Sequence, residues 1–160
     1  IIEVVLVLAI AGLIFLMVFI ALPALQRNQR DTQRKQNLAR VASELQNYAA
    51  NNKGKYPAYG ADSNEFYNFA RNYLGWTSNG GVPSTSDCII DPSTGRNPYF
   101  WLDGLRPDSM AIRDNRYTEI YYARNRTCPT TTPNQADYKE NGVYVWQVLE
   151  GGGVHCIDVR

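Results

Sequence analysis

The residues whose types could do chemistry are few: three cysteines, Cys88, Cys128 and Cys156, one histidine, His155, and a lone acid, Glu3, in an apolar run. Cysteines and histidine together reach a zinc-ligand count, but their spacing matches no usual finger. His155 and Cys156 are neighbours on a strand-like run and so point to opposite faces. No metal centre and no cofactor are expected. The sequence contains no G-x-S-x-G, no H-E-x-x-H and no phosphate-cradling glycine loop, and one histidine without an acid at a telling spacing supports no triad. A chain without enzymatic activity is expected.

Two further patterns carry binding chemistry. Arg106, Arg113, Arg116, Arg124 and Arg126 alternate with Tyr117, Tyr121 and Tyr122. Interleaved cations and aromatics can hold single-stranded nucleic acid by phosphate contact and stacking. The same pattern arises on a sheet surface or a subunit interface, and that is the expectation here. Asn125-Arg126-Thr127 is a glycosylation sequon, and Thr130 to Thr132 between Pro129 and Pro133 suits O-linked sugar.

The elements that must position these residues begin with a helix. Ile1 to Leu25 is almost wholly apolar, and Val4 to Gln26 contains no charge. As a helix that uncharged stretch is about 34 Å long, enough to cross the hydrocarbon of a bilayer. Glu3 near its start costs roughly 2.5–3.5 kcal/mol at the centre of a span and less near its end, so it needs a named partner or a route to the headgroups. A secretory signal would open with basic residues and stop sooner. Here the run passes directly into a polar helical stretch in which Leu38, Val41, Leu45 and Tyr48 form one apolar stripe. Gly54 and Pro57 then punctuate its end. One helix over residues 1–52, about 78 Å long, is expected.

Three segments follow: 1–25, a hydrophobic membrane-type helix; 26–53, its amphipathic continuation; and 54–160, a globular head with a single core. Within the head, Asn64 to Leu74 reads as a short helix capped by Ser63 or Asn64. Tyr99 to Leu102, Ser109 to Arg113, Thr118 to Arg124, Val143 to Leu149 and Val154 to Val159 read as strands. Glu150 to Gly153 reads as a hairpin connection. The expected class is α+β, a long N-terminal helix packed on a small antiparallel sheet. Charge divides unevenly: residues 26–55 hold seven Lys/Arg against two acids, and residues 56–160 hold nine against twelve. Opposite-signed parts of one chain favour self-association, though both also serve as solvated surface.

The N-terminal third carries a family resemblance. I-I-E-V-V at the start, Gly12 after Glu3, Pro23 near the end of the apolar run and an amphipathic helix closing on Tyr48-Ala49-Ala50-Asn51-Asn52-Lys53-Gly54-Lys55-Tyr56-Pro57 together resemble a type IV pilin. The resemblance is specific over residues 1–57. It implies a precursor cut by a prepilin peptidase, two residues before Ile1, and a methylated terminus. It also implies a homopolymer of identical subunits built by pilus assembly machinery from chains that first wait in the cytoplasmic membrane.

In that reading Glu3 pairs with the N-terminal amine of a neighbour, while Ile1, Val4, Leu8, Gly12, Phe15, Phe19 and Pro23 take part in helix packing. The filament lies outside the cell, where it serves adhesion to a host surface, twitching motility or DNA uptake. Pilins commonly tie the C-terminal loop and strand by one disulfide, which Cys128 with Cys156 fits; pairing of Cys88 with either is the alternative. Asp91-Pro92 with Gly95 and Tyr99 resembles a loop of secretion pseudopilins, some of which bind calcium nearby, but one acid makes no calcium site.

The chain departs from the family in two places. Pro23 stands roughly one turn later than usual, and Phe15 to Ile20 is bulkier than the alanine-rich segment of many pilins. Arg27, Arg30, Arg34 and Lys35 directly follow the apolar run, which the positive-inside rule places in the cytoplasm, whereas a pilin needs the reverse. A secretion pseudopilin or minor pilin is the near alternative. A single-span membrane protein displaying a binding domain, without polymerisation, is the distant one.

Overall fold

The structure, a computed structural model, describes residues 1–60, 64–102, 116–129 and 138–159. Helix α1 runs from Ile2 to Asn51 without a break, and Pro23 sits inside it. Its 50 residues give a rod of about 75 Å. Proline removes one backbone donor there, a local loss that the rest of so long a helix tolerates. Past the cap at Asn52, Lys53 and Gly54 take positive φ, and Gly54 N donates to Ala49 O at 2.7 Å, closing the helix where glycine was expected to.

Helix α2, Glu65–Leu74, lies across the second half of α1. Asn64 occupies its N-cap position but its side chain makes no capping bond; Glu65 instead accepts a hydrogen bond from the Ala58 N–H at 2.8 Å. Ser63 lies outside the described residues. Gly75 ends α2 in the left-handed conformation, and a Cβ there would stand 3.1 Å from the Cα of Cys88.

Four strands form one sheet in the order β1-β2-β3-β4: β1 Tyr99–Leu102, β2 Glu119–Arg126, β3 Tyr138–Val148 and β4 Val154–Val159. The β2–β3 and β3–β4 pairs are antiparallel, but β1 runs parallel to β2, with Tyr99 opposite Glu119 and Leu102 opposite Tyr122. The sheet is therefore mixed rather than antiparallel. A parallel pair needs a crossover of a dozen or more residues, and residues 103–118 supply that length. The expected strand Ser109 to Arg113 falls in this stretch, outside the described residues.

Strand β3 begins at Tyr138, earlier than the expected Val143, because pairing with β2 resumes beyond a register irregularity. Arg124 faces Val143 while Arg126 faces Tyr138, so residues 139–142 oppose Asn125 alone. Asn125 and Asn141 both adopt positive φ, which asparagine tolerates better than most residues.

The main core lies between α1, α2 and one face of the sheet. Leu38, Val41, Ala42 and Leu45 of α1 meet Phe66, Phe69 and Leu74 of α2 and Phe100, Ile120, Tyr122, Val143, Val145 and Val159 of the strands. The stripe read from sequence is thus the buried face, with Tyr48 at its margin, its ring 5.6 Å edge-on to Phe69. A second buried cluster occupies the other face, where Tyr121, Ala123, Tyr144, Trp146 and Val148 pack with Cys128 and Cys156. Tyr121 and Trp146 stack there at 3.8 Å. The single core expected for the head is two, because β2 and β3 are covered on both faces.

Candidate functional site

Among the described residues, the first half of α1 packs against no other element. Every residue from Ile1 to Gln29 is exposed except Ala11, which is half-buried. Phe19 keeps 74% of its surface and Leu8 66%; Ile1, Val4 and Phe15 are similarly bare. Glu3 and Gly12 lie on the same exposed arm, and nothing stands within 4 Å of a Cβ added at Gly12. The helix is long and apolar enough to cross a membrane by length and composition. Over twenty apolar side chains in water are far beyond what a soluble surface carries, so the arm requires lipid or protein cover.

Where the arm enters the head, the basic residues that follow the apolar run divide into two groups. Arg27 and Lys35 are exposed. Arg34 is fully buried. Its Nε donates to Asp91 Oδ2 at 2.9 Å, and its Nη1 to Asp31 Oδ1 and Glu150 Oε2, both at 3.1 Å. The guanidinium lies 4.6 Å from the centre of the Tyr117 ring. Arg30 grips Glu150 with both ends of its fork, at 2.8 and 2.6 Å. Asp31, one turn from Arg34 on α1, also accepts the backbone N–H groups of Glu150 at 2.8 Å and Gly151 at 2.7 Å.

These contacts fix the β3–β4 hairpin and the Asp91 loop to the middle of α1, where its second half begins. The hairpin expected at Glu150 to Gly153 is present, closed by Leu149 N to Gly153 O at 3.0 Å. Asp91 is held from its own loop as well, by the Ser93 N–H at 2.9 Å and a short bond from the Ser93 hydroxyl. The charges act on one another. Arg30, and then Arg34, hold the Glu150 carboxyl down to about 2 against the opposing effect of burial. Burial weakens the hold of Arg34 on its proton, but the hydrogen bonds to Asp91, Glu150 and Asp31 outweigh it and raise its pKa above the ordinary arginine value.

Sequence reasoning missed this cluster. The spacing of Asp31 and Arg34 was a visible local signal for a helical ion pair. Asp91 and Glu150 offered none, since each reaches Arg34 only through the folded head.

The remaining candidate residues are separated. Cys128 and Cys156 form a disulfide, and Cys88 is free and buried. Hydrogen bonds from Thr85 and Ser84 pull the Cys88 thiol pKa down, against burial. His155 faces Gln147 across β3–β4, and burial, with Lys35 nearby, lowers its pKa. Among the described residues no group of three or more His, Cys, Asp or Glu side chains is arranged to hold a metal ion. Of the arginine–tyrosine series, Tyr121 and Tyr122 are buried on opposite faces of the sheet, Tyr117 lies against Arg34, and Arg116 pairs with Glu119 at 3.9 Å. Arg106 and Arg113 lie outside the described residues, as do Thr130 to Thr132. Asn125 of the sequon is exposed, and the Thr127 hydroxyl donates to Asp158 at 2.8 Å.

Comparison with known proteins returned no matching family, no matching curated protein and no matching solved structure.

Proposed function

We propose that the chain is a type IV pilin-like structural subunit that waits in a membrane on its apolar arm and then polymerises through that arm, displaying the head outside the cell. The observation that carries this reading is the arm itself: a bare apolar half-helix continuous with a half-helix that is built into a packed, disulfide-bonded head. In the membrane lipid covers it. In a filament the arms of other copies cover it, and the lone carboxylate of Glu3 becomes a register mark. The head then supplies surface for adhesion, twitching motility or nucleic-acid uptake. A minor pilin or secretion pseudopilin would use the same parts.

The competing reading is a single-span anchor for a binding head, favoured by the sufficiency of the arm as one membrane span. Shearing surface appendages from the producing cell and identifying their repeating subunit separates the two. The polymer reading expects this chain as the main component, and expects Glu3→Ala to leave a membrane-bound monomer with few appendages. Finding the chain in membranes only, with appendages made of something else, would establish the anchor instead. Normal appendage yield from Glu3→Ala would remove Glu3 from assembly.

A further inference from the structure

On the face of the sheet away from α1, one side chain from each strand stands in a single cross-strand row. Trp101 of β1 is opposite Tyr121 of β2, Tyr121 is opposite Trp146 of β3, and Trp146 is opposite Cys156 of β4, which is bonded to Cys128. Residues directly opposite in an antiparallel pair bring their Cβ atoms to about 4.5–5.5 Å, so Trp146 lies between the Tyr121 ring and the disulfide. The middle of the row is closed to water: Trp146 is fully buried and Tyr121 is 7% exposed. Their rings stack with centroids 3.8 Å apart and planes 6° from parallel. Cys128 and Cys156 both pack against this cluster.

Tyr121 also has a base at hand. Its hydroxyl donates a short hydrogen bond to the Glu119 carboxylate, two residues away on the same face of β2. A phenol that loses an electron becomes a strong acid and is oxidised readily only where its proton can leave; here the acceptor is already bonded. Among side-chain groups a disulfide is a good electron acceptor, and an excited indole is a strong electron donor. The row therefore sets acceptor, donor and a second donor side by side, with a proton acceptor at the far end. The other two tryptophans are placed differently. Trp76 belongs to the main core on the opposite face, its indole N–H donated to Pro98 O, and Trp101 is two strands farther than Trp146 from the disulfide.

We propose that Tyr121, Trp146 and the disulfide between Cys128 and Cys156 form a light-driven electron-transfer row that opens the disulfide. Excited Trp146 gives one electron to the disulfide, leaving an indole radical cation and a disulfide radical anion. Tyr121 returns an electron to the indole while its proton passes to Glu119, leaving a neutral tyrosyl radical. The sulfur–sulfur bond of the radical anion breaks into a thiolate and a thiyl radical, and the thiolate takes a proton from water as Glu119 releases its own. The net change moves one electron and one proton from the Tyr121 hydroxyl to one sulfur. With the bond open, the hydrogen bonds from the Thr127 hydroxyl and the Cys128 N–H to Asp158 remain to hold the segment after β2 on β4. This device is the same whether or not the chain polymerises.

Illumination of the full chain in detergent, without oxygen and at wavelengths that excite tryptophan and not tyrosine, tests the row. The chain is then unfolded and alkylated, and the labelled peptides are mapped. In the dark, label on Cys88 alone is expected; with illumination, label on Cys128 or Cys156 is expected to grow. Tyr121→Phe and Trp146→Phe should each lose most of that growth, and Trp101→Phe should keep it. Unchanged growth in Tyr121→Phe or Trp146→Phe, or an equal loss in Trp101→Phe, overturns the inference. Flash photolysis of the wild-type chain needs no substitution. A disulfide radical anion is expected with the indole radical cation, and a tyrosyl radical as the cation decays. A wild-type chain that forms no tyrosyl radical, or whose disulfide stays closed under illumination, overturns it.

Discussion

Arg34 and Asp91 meet across 57 positions of sequence, Nε to Oδ2 at 2.9 Å, with side-chain exposures of 0% and 1%. A pair so deeply withdrawn from water contributes little over an apolar replacement, but it is costly to break from one side. Asp91→Ala leaves a guanidinium buried against fewer acceptors. The expected loss is about 3–5 kcal/mol, read as a shift in denaturant midpoint of the full chain in detergent. Glu44→Ala, a partly exposed acid on the same helix that bonds Asn47, should stay within about 0.5 kcal/mol of wild type.

Acid should loosen the same end of the head. Glu150 ionises near 2 when folded and near its ordinary 4.5 when unfolded. Between those values the unfolded chain binds the extra proton, so the stabilisation is complete above pH 4.5 and is lost as pH falls toward 2. Glu150→Gln has no such proton to bind. Its stability should therefore fall less steeply than that of wild type across this window, in unfolding curves taken at several pH values. Equal slopes would remove Glu150 from the acid response.

The disulfide and the free cysteine give separable readouts. Cys128 and Cys156 are 28 positions apart, and the chain-entropy model puts the stabilisation from closing that loop at about 3.6 kcal/mol. Cys128→Ser with Cys156→Ser should lower stability by that order. In the wild-type chain, an alkylating reagent without reductant should label nothing while the head is folded and Cys88 alone once it is unfolded. Mass spectrometry of digested peptides would show a label on Cys128 or Cys156 if the pairing were different.

Much of the fold was legible because its signals are local. The apolar run and the Leu38, Val41, Leu45 stripe announced both halves of α1, and Tyr99 to Leu102 and Val154 to Val159 carried strand composition between turn residues. Orientation was not local. Nothing in Tyr99 to Leu102 says that it lies parallel to β2, because that depends on where residues 103–118 return the chain. Asn141-Gly142 has the composition of a turn, and only the pairing of Arg124 with Val143 and of Arg126 with Tyr138 shows that the strand continues past it.

Arg30 and Arg34 read as part of a solvated basic collar subject to membrane topology rules. They are instead counter-ions for Asp91 and Glu150, partners that become visible only once α1, the Asp91 loop and the hairpin are assembled. The clustering of basic residues after the apolar run was correctly seen, but two of those four are engaged in structure. Only Arg27 and Lys35 remain as bare charge at the head's lower rim.

The Arg34 cluster also imposes an order on synthesis. Arg34 and Asp31 leave the ribosome together, Asp91 much later, and Glu150 only when the chain is nearly complete. Until then Arg30 lacks the acid that grips it, and the end of the head nearest the arm stays open. Asp31 and Asp91 are in place for Arg34 before that, so closure of that end and neutralisation of Arg30 are the one late event, set by the arrival of the final hairpin.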